Sequence, residues 1–314
     1  MKNIICNGFL NSKDLLGLEY LQKEELQLIL NLVNDFKNFF LVSNTKSSIL
    51  SGKTLITLFY EPSTRTRISF ELAAKKLSAE VLNITVNTSS VVKGESLIDT
   101  GKTLEAMKAD FIVIRHYFSG APNILARTLK TSIINAGDGF HEHPTQGLLD
   151  LYTIYESKKT FCNLKVLLVG DILHSRVAKS NIWALTKMGA QVAVVGPSTL
   201  IPASIQELGV KVYYDFDKAL VDTDVINILR IQLERQQENF FPSVHEYVKL
   251  YQLTKKRLLK AKSDVLVMHP GPINRGIEIS SEVADSTNTV INKQVTNGIA
   301  VRMAVLYLLN KRKL

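Results

Sequence analysis

Cysteine is scarce in this sequence, long apolar runs are missing, and the common nucleotide-binding signatures are incomplete. Only Cys6 and Cys162 occur in 314 residues. Two thiols so far apart make neither a disulfide framework nor a zinc site, and they read as reduced structural or surface thiols. No apolar stretch approaches the roughly 20 residues that cross a bilayer. Residues 1–8 hold too short an apolar segment for a secretory signal. A soluble, cytoplasmic chain with no membrane partner is therefore expected. There is no internal repeat, no low-complexity segment and no Pro/Gly/Ser linker, so closely packed domains are expected rather than tethered ones.

Two further absences narrow the chemistry. Ser51-Gly52-Lys53-Thr54 resembles the end of a P-loop, but the glycine required five residues earlier is replaced by Ser47. Gly101-Lys102-Thr103 fails in the same way, with Ser96 in that place. No G-x-G-x-x-G follows a strand-like segment. Nucleotide hydrolysis and dinucleotide binding are both unsupported.

What is present is an ordinary globular composition, 46% hydrophobic and 21% charged, sufficient for a folded core. Lys and Arg number 38 against 29 Asp and Glu, a formal net charge of +9. Such a balance suits small anions or nucleic acid. The densest basic groups, Lys255-Lys256-Arg257 and Lys311-Arg312-Lys313, lack interleaved aromatics and read as solvated faces, so no nucleic-acid partner is expected.

Strand-like and helix-like segments alternate along the chain. Strands are expected over 54–60, 81–85, 111–114 and 132–135, then over 165–169, 191–195, 210–214, 225–229 and 264–268. Between them Phe70, Ala73, Ala74 and Leu77 share one helical face, as do Ala178, Ile182, Leu185 and Met188. Two such series predict an α/β protein of two doubly wound domains with parallel sheets. The join falls near a helix starting around Thr145. A C-terminal helix over 295–309, with Ile299, Met303 and Leu306 on one face, closes back on the first domain.

Open parallel sheets place ligands beyond the carboxyl ends of their strands, and the polar residues accumulate there. After 54–60 comes Ser63-Thr64-Arg65-Thr66-Arg67, in which Ser63 or Thr64 caps the next helix. A helix N-terminus attracts anions, and its dipole opposes nearby cations. Two arginines beside the cap therefore favour a phosphate ligand, whose oxygens suit the guanidinium fork. Arg115-His116 follows the 111–114 segment. The segment His141-Glu-His-Pro-Thr-Gln146 fits a metal cluster with Asp138 or Glu142, a polar loop, or a neutral His143 donating to a carbonyl. His174-Ser175-Arg176 opens another helix. Arg230 and Gln232 follow the 225–229 segment, and His269-Pro270-Gly271-Pro272 follows 264–268. Residues 89–97, with Ser89 and Lys93, read by themselves as a mobile surface loop. Five strand ends carrying Arg or His point to a pocket for a multiply charged anionic substrate.

In this order, and over nearly the whole chain, the segments resemble the aspartate/ornithine transcarbamoylase family, on its aspartate-using side. The resemblance implies transfer of the carbamoyl group of carbamoyl phosphate to the amine of L-aspartate, early in pyrimidine synthesis, with no cofactor and no metal. It implies a carbamoyl phosphate-binding domain of residues 1–144 plus 294–314 and an aspartate-binding domain of residues 145–293. Ser63, Thr64, Arg65 and Thr66 would hold the phosphate. Arg115 would bridge phosphate and carbonyl, and His143 and Thr66 would donate to the carbonyl oxygen. Gln146 and the backbone at Gly271 and Pro272 would hold the carbamoyl NH₂. Arg176, Arg230 and Gln232 would hold the aspartate carboxylates. Ser89 and Lys93 would lie on a loop reaching a neighbouring subunit's site, with Lys93 touching aspartate. That implies a homotrimer with shared active sites, open to a larger assembly. Arg67 is expected to be structural or interfacial. Two departures stand out: Val92 precedes Lys93 where some relatives have a second lysine, and Gly271 stands where some have leucine. The rival readings are an ornithine carbamoyltransferase, against which Arg230 and Gln232 count, and a catalytically silent binding subunit.

Overall fold

A computed structural model describes residues 8–43, 45–85, 94–231 and 243–312. By its contacts the chain divides into two units, Met1–Leu149 with Thr296–Leu314, and Asp150–Val295. In the first unit the order is α1 (Lys23–Val42), β1 (Thr54–Phe59), α2 (Thr64–Lys76), β2 (Glu80–Thr85), α3 (Leu97–Ala106), β3 (Phe111–His116), α4 (Ala121–Thr128) and β4 (Ser132–Asp138). Helix α5 (Pro144–Lys158) carries the chain into the second unit. There follow β5 (Lys165–Val169), α6 (Arg176–Met188), β6 (Gln191–Val195), β7 (Lys211–Tyr213), α7 (Phe216–Ala219), β8 (Val225–Ile228), α8 (Val244–Tyr251), α9 (Lys255–Leu258), β9 (Leu266–Met268) and α10 (Ser281–Ala284). Helix α11 (Ile291–Lys311) returns the chain to the first unit.

Each unit is built on one sheet whose strand pairs are all parallel. The first has the order β2-β1-β3-β4 and the second β7-β6-β5-β8-β9. The expected strands are found at their expected places, with ends differing by up to three residues. The strands are apolar on both faces, as Leu55, Ile56 and Leu58 of β1 and Val166 through Val169 of β5 illustrate, all buried. This is the signature of a sheet covered by helices on both sides. Helices supply the cover through single apolar stripes. Phe70, Ala73, Ala74 and Leu77 are fully buried, and Ala178, Ile182, Leu185 and Met188 are buried on α6. Each large aliphatic side chain removed from water contributes about 1.5–3 kcal/mol before entropy is counted.

The C-terminal helix packs on the first unit's helices, as expected. The Tyr307 ring meets Phe36 of α1 at 5.7 Å between centroids. Arg302 donates to the Ser69 hydroxyl of α2 at 2.9 Å and stacks over Phe70 at 4.9 Å. Helix α1 is an addition: the periodicity of the first 50 residues assigns no element there. Among the described residues no helix is long and apolar enough to cross a membrane.

Candidate functional site

In the first sheet β1 and β3 are neighbours, and the chain leaves them toward opposite sheet edges. This is a topological switch point, the place where open sheets hold ligands. Phe59 and Arg115 are register partners, and the Tyr60 amide donates to the Arg115 carbonyl at 2.8 Å. Residues 60–66 therefore leave the sheet beside Arg115 and His116, the last two residues of β3. Ser63 is the N-cap of α2, with extended backbone and no side-chain cap bond. Its carbonyl accepts the Arg67 amide at 3.2 Å, so the amides of 64–66 are the leading N–H groups of the helix. Thr64 and Arg65 are exposed and Thr66 is buried. Ser63 is thus a cap by position, and its hydroxyl is not spent on capping. Arg67 lies half-buried one step on. With the nearer Lys75 and Asn83, it helps hold the Glu71 carboxyl below its ordinary range, although Glu71's partial burial opposes this.

Arg115 is held from two sides. Its Nη1 donates to the Ala136 carbonyl at 3.2 Å, and its Nε lies 3.3 Å from Glu61 Oε2. Glu61 belongs to the β1–α2 turn itself, so the guanidinium is tied to the cradle's own loop. The adjacent His116 is a packing residue. Its Nδ1 accepts the Phe118 amide at 2.9 Å, and its ring lies 4.4 Å from Tyr60. Burial pushes its pKa down, which keeps the ring neutral.

The turn after β4 is locked by a buried carboxylate. Asp138 accepts from Gly120 N–H at 2.7 Å, from Asn135 Nδ2 at 2.8 Å and from Glu142 N–H at 3.2 Å. His141 Nδ1 lies 3.1 Å from its Oδ2. The hydrogen bond to Asp138 raises the His141 pKa, against an opposing effect of burial. The buried Glu142 carboxylate accepts the Leu18 and Glu19 amides at 2.8 and 3.1 Å. The turn delivers His143, buried, to the residue before Pro144. Proline suits the first helical position, where no N–H is needed. The His143 carbonyl accepts the Gln146 and Gly147 amides at 3.0 and 3.1 Å. The metal alternative for this segment changes membership: possible ligand atoms of Glu19, His141 and Glu142 lie within 4.8 Å of one another, and His143 is not of that group. Glu142 is occupied by backbone amides and His141 by Asp138, and His143 lies outside the group, at the helix start.

The second sheet repeats the arrangement. Strands β5 and β8 flank its switch point, with Val169 and Ile228 in register and the Leu229 amide on the Val169 carbonyl at 2.8 Å. Beyond β5, Gly170 has φ +119°, and an added Cβ would lie 2.9 Å from the Tyr247 hydroxyl and 3.2 Å from the Leu229 carbonyl oxygen. Asp171 then accepts the His174 amide at 3.0 Å and holds the His174 ring nitrogen at the same distance. Ser175 caps α6 by accepting the Ala178 amide at 3.1 Å. Arg176, at the first helical position, is buried. A cation there opposes the helix dipole and favours an anion beside it. Arg230, half-buried, leaves the sheet beyond β8. Beyond β9, His269 Nδ1 accepts the Gly271 amide at 2.8 Å, so its proton sits on Nε2 and donates to Glu278 Oε1 at 3.1 Å. The same oxygen accepts the Asn274 amide at 2.7 Å. The loop bearing Gly271 and Pro272 is wrapped around a buried imidazole.

Within the first unit, Ser63, Thr64, Arg65, Thr66, His143 and Gln146 therefore lie beyond the carboxyl ends of β1 and β4, while Arg115, expected just past its strand, is the last residue but one of β3, because the strand runs two residues further than its apolar run. Within the second, Arg176, Arg230, Gly271 and Pro272 lie beyond β5, β8 and β9. Ser89, Lys93 and Gln232 fall outside the described residues. Periodicity gives no sign of Glu61, Asn135, Asp171 and Glu278, which hold these groups, and Asp138, weighed only as a metal ligand, anchors its turn instead. Only the Asp–His spacing of three, in Asp138–His141 and Asp171–His174, was a usable signal.

The family model described as aspartate/ornithine carbamoyltransferase, carbamoyl-P binding domain, matches residues 13–156. The model described as aspartate/ornithine carbamoyltransferase, Asp/Orn binding domain, matches residues 162–309. The aspartate carbamoyltransferase catalytic subunit of Endomicrobium trichonymphae is 73% identical over 304 residues, 97% of either chain. The ornithine carbamoyltransferase from Pyrococcus furiosus superposes with a TM-score of 0.84 at 33% identity, covering 94% of this chain and 96% of that one. The aspartate transcarbamoylase from Trypanosoma cruzi, in complex with carbamoyl phosphate and aspartate, reaches 0.87 at 28% identity, covering 95% and 97%. On these matches and on two parallel sheets with basic switch points, this chain belongs to the aspartate/ornithine carbamoyltransferase family.

Proposed function

We propose that this chain transfers the carbamoyl group of carbamoyl phosphate to the amine of L-aspartate, giving N-carbamoyl-L-aspartate and phosphate in de novo pyrimidine biosynthesis. The observation that carries the reading is 73% identity over 97% of the chain to an aspartate carbamoyltransferase catalytic subunit. The basic groups at the two switch points support it.

In this reading Ser63, Thr64, Arg65, Thr66 and the leading amides of α2 bind the phosphate. Arg115, oriented by Glu61 and the Ala136 carbonyl, spans phosphate and carbonyl oxygens. The aspartate nitrogen attacks the carbamoyl carbon, the C–N bond forms, and the C–O bond to phosphate breaks. Thr66, Arg115 and His143 stabilise the charge that develops on the carbonyl oxygen, a donor of this kind contributing about 3–4 kcal/mol. Gln146 and the backbone at Gly271 and Pro272 hold the carbamoyl NH₂. Arg176, Arg230 and Gln232 bind the aspartate carboxylates, and Lys93 joins them. The proton lost by the amine passes to the departing phosphate. Carbamoyl phosphate is already activated, so alignment is the main task, and alignment supplies about 7–11 kcal/mol.

The working form is a cytoplasmic homotrimer in which Ser89 and Lys93 complete a neighbouring subunit's site. The ornithine alternative has a solved relative at 33% identity. A second cationic group in the acceptor would meet Arg176 and Arg230, which argues against it. The deciding test is carbamoylation by the purified chain with carbamoyl phosphate and either L-aspartate or L-ornithine. Product from aspartate alone is expected, whereas product from ornithine would overturn the assignment of the acceptor residues.

A further inference from the structure

The second unit contains a buried carboxylate to which the mechanism above gives no part. Asp150, on α5, has no solvent exposure. Its Oδ1 accepts from Gln294 Nε2 at 2.7 Å, and its Oδ2 from Asn181 Nδ2 at 2.8 Å and Asn227 Nδ2 at 3.4 Å. All three amide side chains are buried. Each belongs to, or reaches, a different segment that carries a proposed substrate contact, two of them for aspartate and the third for the carbamoyl NH₂. Asn181 lies on α6, the helix opened by Arg176. Asn227 lies in β8, three residues before Arg230. Gln294 lies on α11, and its Oε1 accepts the His269 amide at 3.1 Å, where the chain enters the loop of Gly271 and Pro272.

We infer that Asp150 is a positioning residue for aspartate: one carboxylate sets the mutual placement of the segments beyond β5, β8 and β9. The inference rests on the activity proposed above. The physical reason is the directionality of the contacts. Apolar packing tolerates small slips between helix, strand and loop, whereas three amide donors converging on two oxygens in a dry interior do not. A carboxylate accepts at every lone pair, so each carboxamide must point its NH₂ inward. That requirement leaves Gln294 Oε1 turned toward the His269 amide. Bonds to a charged acceptor are also the stronger kind.

The substitution that isolates this role is Asp150→Asn, which keeps shape and replaces one acceptor oxygen by a donor facing another donor. In the full-length chain we expect KM for aspartate to rise about tenfold or more, the scale of one charge-assisted hydrogen bond. Carbamoyl phosphate, whose proposed phosphate contacts all lie in the first unit and which meets the second only through the backbone at Gly271 and Pro272, should lose clearly less affinity than aspartate, about threefold at most. The double variant Asp150→Asn/Gln294→Glu re-forms the bond with donor and acceptor exchanged, and the carboxylate introduced on α11 still presents an oxygen to the His269 amide. It should recover most of the aspartate KM. Should Asp150→Asn fail to fold, Asn227→Ser removes the longest of the three bonds and should raise the aspartate KM about threefold. An active unaltered chain whose variant keeps its aspartate KM, or loses carbamoyl phosphate affinity in parallel, would overturn the proposal alone. An unaltered chain that does not carbamoylate aspartate would overturn the activity reading and this inference with it.

Discussion

Phe59 and Arg115 face each other in register across the seam between β1 and β3. The phosphate cradle begins within a few residues of the first, and the second is itself the cation proposed to bridge phosphate and carbonyl. A parallel sheet has no other way to bring residues more than fifty positions apart to one edge with their chains pointing the same way. The same relationship recurs at Val169 and Ile228, which put Arg176 and Arg230 at the second switch point.

Arg65 is exposed, so its replacement tests binding with little effect on folding. Arg65→Ala should lose carbamoyl phosphate binding and lower kcat/KM by about 10²–10³, the scale of one lost transition-state contact. Its unfolding free energy should stay within about 0.5 kcal/mol of the unaltered chain. Titration calorimetry with carbamoyl phosphate, beside a urea melt, measures both. Unchanged turnover would remove Arg65 from the site.

Arg230 serves the other substrate. Arg230→Ala should raise KM for aspartate by about 10–100-fold, because a carboxylate loses a charge-assisted partner. The affinity for carbamoyl phosphate should be unaffected. Steady-state kinetics with each substrate varied in turn separates the two; a fall in both affinities together would contradict the division of roles.

Gly170 is placed where a side chain is doubly unfavourable, by its φ of +119° and by the close Tyr247 hydroxyl and Leu229 carbonyl. Gly170→Ala should destabilise the protein by about 1–3 kcal/mol. It should also raise the aspartate KM, since the displaced turn holds Asp171, His174 and the start of α6. Thermal unfolding and kinetics on the same sample report the two effects; a variant as stable as the parent would show that the turn yields freely.

His141 makes a pH-dependent contribution of known sign. Its hydrogen bond to Asp138 raises its pKa above the ordinary value of 6.5. A group whose pKa is raised on folding contributes stability that is fully present below its unfolded pKa and is lost as pH rises through the folded value. The gap in unfolding free energy between the parent and His141→Gln should therefore be widest below about pH 6.5 and shrink at higher pH. Denaturant melts across that range test it, and a gap that widens with pH would mean the pair does not form.

The sequence by itself determined the class of fold and much of the site's inventory. Short apolar runs mark β1 through β9, and the stripe of Phe70, Ala73, Ala74 and Leu77 marks the buried face of α2, because burial on a regular element imposes a pattern on the chain. Arg65, Arg115, His143, Arg176 and Arg230 were visible because each stands at or after the carboxyl end of a strand, and the chemistry of anions demands such groups there. The tertiary structure alone decided what holds them. Glu61 meets Arg115 across 54 residues of chain, Asp150 meets Gln294 across 144, and Glu142 takes the Leu18 amide across 124. No local period or spacing encodes such pairs. They exist because sheet order and helix packing bring distant segments together in an interior where a buried polar group must find a partner. Helix α1 was equally silent, since no strand beside it gave the reading an anchor.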